Sequence, residues 1–134
     1  MLVLDRVSTF YGNIQALDEI SIYVDEGEIV TMIGANGAGK STTLMTICGF
    51  PRARTGQIIF DQQDITQLPT FQIIRRGLSH APEGRRIFPH TTVFENLQMG
   101  AKVANVNDFG RDAHWVFELF PILEERRNQR GGTL

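Results

Sequence analysis

Apolar positions in the first third of the chain follow the two-residue rhythm of a pleated strand. Leu17, Ile20, Ile22 and Val24 keep near period-two spacing, which predicts a strand over residues 17–24. A turn at Asp25-Glu26-Gly27 leads into Glu28 to Ile33, and this β-branched, mostly apolar run predicts a second strand covered on both faces, as in a parallel sheet. Glycine-rich chain follows, and from about Lys40 the spacing turns helical, with Leu44, Ile47 and Cys48 sharing one face and Gly49 ending the helix. Strand, glycine loop and helix in that order open an α/β domain. Residues 56–60 predict a further short strand, and Thr70 serves as N-cap for a helix through Arg76 that stops at Gly77.

The pattern changes near residue 84, with strands before it and helices after it. Residues 78–82 lead into a loop, and Thr92-Val93-Phe94-Glu95 is a capping box at the start of a helix running to about Val103. Residues 108–120 predict a second helix with Trp115, Val116 and Leu119 inward, broken at Pro121, and a third short helix runs through Glu125. Trp115, Phe117 and Phe120 are read as core. The organisation expected is one partial domain: a β layer and core over 1–83, then a helical subdomain over 84–134.

Composition narrows the class. At 134 residues, 42% apolar and 21% charged, with net charge -2, the chain has room for one core, and its near-neutral balance argues against a dedicated nucleic-acid binder. The lone Cys48 suits a reducing compartment and reads as a small buried hydrophobe. No apolar run approaches the ~18 residues of a membrane span, and Asp5 and Arg6 fall where a signal peptide needs apolar residues. A cytosolic location is expected, with no direct membrane insertion.

Candidate chemistry is concentrated at residues 34–41. Gly34-Ala35-Asn36-Gly37-Ala38-Gly39-Lys40-Ser41 matches G-x-x-x-x-G-K-[ST] in full, between an apolar run and a helix. Glycines let consecutive N–H groups curl inward at phosphate oxygens, and a Cβ at Gly39 is expected to obstruct that approach. Lys40 reaches the β and γ phosphates, the Ser41 hydroxyl is a Mg²⁺ ligand, and the helix N-terminus adds its positive dipole end. Gly34, Asn36, Gly37, Ala38, Gly39, Lys40, Ser41 and Thr42 are the expected nucleotide-binding residues. His80, His90 and His114 share no metal-ligand spacing, and no Ser-His-Asp or Cys-His arrangement is present.

The loop, Tyr11 in Phe10-Tyr11-Gly12, the stretch Ala81 to Leu97 (APEGRRIFPHTTVFENL) and the closing residues 126–134 together resemble the ATP-binding subunits of ABC transporters. The resemblance covers the whole chain, and the Ala81–Leu97 spelling looks like the branched-chain amino acid uptake subgroup. It implies a P-loop NTPase fold of the ABC type: an antiparallel β layer, the start of a parallel core sheet, then a helical subdomain. It also implies ATP and Mg²⁺ as cofactors, ATP hydrolysis coupled to amino-acid uptake, and a place on the inner face of the cell membrane. The implied partners are membrane-spanning subunits and a second ATP-binding subunit.

Tyr11 takes the position of the family's adenine-stacking ring, beside the alternative of an edge aromatic packed on the core. Glu83 stands where most of the family has a glutamine that touches Mg²⁺ and the attacking water; the carboxylate marks the branched-chain subgroup, beside the alternative of a solvated loop glutamate. Lys40 and Glu83 are thus the catalytic candidates, and Ser41 and Glu83 the metal candidates. The pairs Arg75/Arg76, Arg85/Arg86 and Arg126/Arg127 read as solvated faces, with Arg85 and Arg86 on the loop that in this family faces the membrane subunit. The chain stops at Leu134, before the family's signature segment, so the resemblance implies an N-terminal part that is inactive alone. Alternatives are a non-transport ABC-type ATPase, a non-hydrolysing P-loop nucleotide-binding module, or a small P-loop kinase, for which no arginine-rich lid segment is found.

Overall fold

Strand β1, Leu2–Tyr11, is an inner strand of a four-stranded antiparallel sheet in which β2 (Ile14–Val24) lies on one side and β3 (Ala53–Phe60) on the other. A two-residue strand β4, Gln63–Asp64, completes the order β2-β1-β3-β4. The computed structural model describes residues 1–84, 86–102 and 108–134, and the chain divides into two compact units, Met1–His80 and Ala81–Leu134. Arg85 and Val103, both named by the sequence reading, lie outside the described residues.

The sequence pattern does not predict β1, and its register shows why. Leu4 and Val7 are both fully buried although three residues apart, because Asp5 and Arg6 form an irregularity where β1 advances from Leu4 to Val7 while β2 moves only from Ile22 to Ile20. Arg6 sits there at φ 44°. Leu17 and Ile20 show the same three-residue step on β2, with Glu19 at φ 44°. The hydroxyls of Ser21 and Ser8 accept the Arg6 and Glu19 N–H groups, each at 3.0 Å, which satisfies backbone donors released by the irregularity. Beneath the sheet, Leu4, Val7, Ile47, Ala53, Ile58, Ile65 and Ile73 form one apolar cluster, each large member contributing about 1.5–3 kcal/mol by burial.

Residues 28–33, expected as a parallel core strand, form none. Their backbone has no strand alongside among the described residues, and Ile29 and Ile33 are each 94% exposed. A strand is closed by ladder bonds to a neighbour, so a β-branched run alone does not make one. Helix α1, Lys40–Ile47, follows the glycine loop, but its buried face is Thr43, Thr46 and Ile47, with Leu44 exposed. The threonines bury because their hydroxyls are satisfied: Thr43 donates to the Gly39 carbonyl at 2.9 Å and Thr46 to the Thr9 hydroxyl at 3.3 Å. Helix α2, Thr70–Arg75, starts one residue earlier than expected, with Pro69 as N-cap in place of Thr70 and Arg76 as C-cap.

The second unit holds α3 (Val93–Ala101), α4 (Phe109–Leu119) and α5 (Pro121–Glu125). Phe94 and Phe109 meet edge to face at 5.4 Å between centroids. The inward residues of α4 are Ala113 and Phe117, whereas Trp115 (61% exposed), Leu119 and Phe120 face outward, contrary to the sequence expectation. Its stripe is set by the Ala113–Phe117 step of one turn, and Phe117 is the aromatic of that cluster that belongs to the core. Residues 127–132 close back on the start of α3, where the N–H groups of Val93 and Phe94 donate to the Gln129 and Arg127 carbonyls at 2.9 and 3.0 Å.

Candidate functional site

The glycine loop joins the exposed residues 28–33 to α1 and is held at its far end by packing against β2. Gly39, the N-cap of α1, adopts φ 88°, a left-handed conformation that costs an L side chain roughly 1–2 kcal/mol. A Cβ there would lie 2.8 Å from Leu17 Cδ2 and 3.4 Å from the Ala16 carbonyl oxygen. The obstruction expected at Gly39 is therefore met first in the protein's own packing. Gly37 also adopts a positive φ, 85°, but in open space. The Ala38 N–H donates to the Ala35 carbonyl at 3.1 Å, closing the loop on itself.

The Lys40 ammonium folds into this curl, donating to the Gly34 carbonyl at 2.7 Å and the Ala35 carbonyl at 2.8 Å. An ammonium has three donors, so a compact positive charge is fixed within the loop, next to the N-terminus of α1. Curled backbone, fixed cation and helix dipole together have the chemistry to receive an anion. Ser41 and Thr42 occupy the first turn of α1, Ser41 exposed and Thr42 half-buried. Ser41 is not without a partner in this structure. One neutral hydroxyl beside a phosphate site suits Mg²⁺, which keeps several waters and takes phosphate oxygens as ligands. No group of three or more His, Cys, Asp or Glu able to hold a metal occurs among the described residues. Cys48, at the end of α1, is a poor nucleophile because burial pushes its thiol pKa up.

Tyr11 is the last residue of β1, 45% exposed, and pairs with Ile14 across the two-residue turn Gly12-Asn13. Gly12 takes φ 59° at the first turn position, as a tight hairpin of this length requires. Two residues past Ile14 is Ala16, whose carbonyl faces Gly39, so the hairpin tip and the glycine loop share one end of the sheet. Tyr11 thus stands exposed at the hairpin tip. Arg54, which the sequence reading did not single out, lies over the Phe10 ring at 4.1 Å and donates from Nη2 to the Gly12 carbonyl at 3.0 Å.

Glu83 belongs to the second unit, on an exposed bend, and it too is not without a partner. Arg86 and Phe88 follow on exposed chain. Asn96 of α3 fixes Phe88 by both backbone groups, accepting from its N–H at 2.9 Å and donating to its carbonyl at 3.1 Å, while the ring stays exposed. Nothing in the local sequence marks Asn96, because its partners lie four to eight residues back, at the N-cap of α3 and on the irregular chain before it.

A profile of the ABC transporter family matches residues 17–132. The chain is 51% identical over its full 134 residues to the high-affinity branched-chain amino acid transport ATP-binding protein BraG of Pseudomonas aeruginosa, of which it covers 58%. It is 36% identical over 103 residues, 77% of its length, to the spermidine/putrescine import ATP-binding protein PotA of Vibrio cholerae, of which it covers 26%. Among solved structures, an ATP-binding subunit of an ABC transporter superposes with a TM-score of 0.83 at 28% identity, over 97% of this chain and 54% of the other. The chain therefore spans a little over half the length of BraG and of that solved subunit. No helix among the described residues is long and apolar enough to cross a membrane.

Proposed function

Because the chain belongs to the ABC transporter family, we propose that it forms the nucleotide-binding part of an ATP-binding subunit that drives uptake of branched-chain amino acids. The observation that carries this reading is the Lys40 ammonium fixed inside a complete glycine loop at the head of α1. Identity of 51% to BraG along the whole chain supports the branched-chain assignment. Partners of the assembled protein are membrane-spanning subunits and a second ATP-binding subunit, which places it on the cytoplasmic face of the membrane.

In this reading the backbone of Gly34, Asn36, Gly37, Ala38 and Gly39 wraps the phosphates, and Lys40 exchanges the Gly34 and Ala35 carbonyls for β and γ phosphate oxygens. Ser41 supplies a hydroxyl to Mg²⁺, with Thr42 beside it in the first turn, and Tyr11 offers its exposed ring to adenine. Mg²⁺, when bound, would supply positive charge against developing phosphate charge, and this chain's residues position the phosphates and hold fixed donors toward them. Glu83, in the second unit, is the candidate carboxylate for Mg²⁺ or the attacking water. The exposed Phe88 and Arg86 lie on the segment that meets the membrane subunit.

Calorimetric titration of the chain with MgATP tests the core of this reading. Lys40→Ala should weaken binding by about 100-fold or more, the scale of losing one fixed charge-stabilising donor, and unchanged affinity removes the assignment of the loop. In vesicles carrying the assembled transporter, Phe88→Ala should lower uptake of labelled leucine with ATP binding unchanged. Equal losses of both would place Phe88 in nucleotide binding instead of coupling.

A further inference from the structure

We infer that Arg54 is a positioning residue for the base end of the nucleotide site, acting through the hairpin tip that carries Tyr11. The inference rests on the nucleotide-binding reading above and concerns how this chain orients the base-contacting ring.

The register of the sheet places Arg54 where it is. Ser8 pairs with Thr55 and the next residue, Thr9, pairs with Ala53, so Arg54 is the extra residue of a bulge in β3. A bulge leaves its extra residue unpaired and turns its side chain out of the regular alternation, and such features are concentrated beside functional sites. Here the guanidinium reaches along the sheet to the tip of the neighbouring hairpin, 4.1 Å from the Phe10 ring centroid and 3.0 Å from the Gly12 carbonyl.

That tip needs a second tether. Beyond Thr9, β1 has no ladder partner on the β3 side among the described residues, because β3 begins at Ala53; Phe10 and Tyr11 pair with Gln15 and Ile14 of β2. Arg54 supplies what the missing ladder would, one donor to the backbone just after Tyr11 and a flat cation against the ring just before it. β2 carries its own irregularity opposite, where Thr9 pairs with Leu17 and Phe10 with Gln15, so that Ala16 is the extra residue there, and its carbonyl faces Gly39. Two bulges on either side of β1 thus bear on one end of the sheet, Ala16 against the glycine loop and Arg54 against the tip with Tyr11. The Arg54 contacts fall on Phe10 and Gly12 at the tip, so its removal should act on the base and spare the phosphates.

The test compares two probes on the full chain by calorimetry, MgATP and inorganic tripolyphosphate, for the unaltered protein, Arg54→Ala and Arg54→Lys. Arg54→Ala should weaken MgATP binding by about three- to tenfold, the part of its cation–ring contact and hydrogen bond that reaches the base through the tip, with tripolyphosphate affinity held within about twofold. Arg54→Lys retains a cation over Phe10 but loses the planar fork, and should recover part of the MgATP affinity. Unchanged MgATP binding in Arg54→Ala overturns the inference, as does a parallel fall for both probes, which would mean that Arg54 supports the fold in general. If the unaltered chain binds neither probe, the nucleotide reading itself fails and takes this inference with it. Arg54 is exposed, and matching far-ultraviolet circular dichroism of the variants would show that the fold is kept.

Discussion

At the scale of single residues, the demands on the glycine loop are local, and that is why the loop was legible from spelling alone. Gly37 and Gly39 both sit at left-handed φ, 85° and 88°, but they differ in surroundings. An added methyl at Gly37 meets open space, so Gly37→Ala carries only the conformational cost, about 1 kcal/mol. At Gly39 the same methyl must also displace Leu17 Cδ2, which belongs to a side chain only 3% exposed. Gly39→Ala is expected to cost about 2–4 kcal/mol in urea unfolding, the conformational cost plus that of overpacking. Equal midpoints for the two variants would mean that Leu17 moves aside freely. Arg54 was illegible by contrast, because its placement depends on a one-residue shift of register between β1 and β3 that no local pattern of β3 announces.

The capping box and the strands over 17–24 and 56–60, which lie within β2 and β3, are legible in the sequence, whereas β1 and the state of residues 28–33 are not. The capping box forms as spelled: Glu95 N–H donates to the Thr92 hydroxyl at 3.1 Å and Thr92 N–H to the Glu95 carboxylate at 2.8 Å. β1 escaped notice because the Asp5-Arg6 irregularity breaks its alternation, and residues 28–33 were read as a strand because composition reports burial preference without supplying a neighbour. The faces of α1 and α4 were misread toward the largest apolar side chains, although satisfied threonines and a single alanine–phenylalanine step set the buried stripes. The capping box also carries a pH dependence of defined sign. The Thr92 N–H, and then its hydroxyl, hold the Glu95 carboxyl below the usual carboxylate range. A depressed folded-state pKa stabilises above the unfolded value, about 4.3, and that contribution is lost as pH falls through the folded value. Glu95→Gln should therefore be less stable than the unaltered chain at neutral pH, with the two converging below about pH 4. Asp64, held low by Thr66 and Gln57, titrates in the same direction in both proteins and cancels from the comparison. A stability gap that stays constant from pH 7 to pH 3 would show that the carboxylate's charge is not what stabilises the cap.

For the molecule as a whole, the surface that matters most is the apolar one left open around the core. A groove of about 380 Å³ is lined by Met1, Leu2, Val24, Leu44, Ile47 and Phe60, among others. Residues 28–33 leave the sheet four residues beyond Val24, with Ile29 and Ile33 almost wholly in water. Each isoleucine carries about 1.5–3 kcal/mol of burial free energy, so joint burial of both against another copy favours association by about 10²–10⁴-fold. A net charge of -2 opposes this only weakly. Residues 28–33, mostly of high β-propensity and with a single charge, Glu28, also match the composition of segments that pair edge to edge. The chain of 134 residues is therefore expected to self-associate in sedimentation at about 10–100 µM, the range in which exposed strand edges aggregate. Ile29→Lys with Ile33→Lys should hold it monomeric at the same concentration, because charge on an open edge blocks pairing. The double variant should leave the unfolding midpoint within experimental spread, since neither side chain is packed in the structure. A monodisperse unaltered chain at about 100 µM would mean that residues 28–33 find cover within their own molecule in solution. Loss of stability in the double variant would point the same way, because only a packed isoleucine has stabilisation to lose.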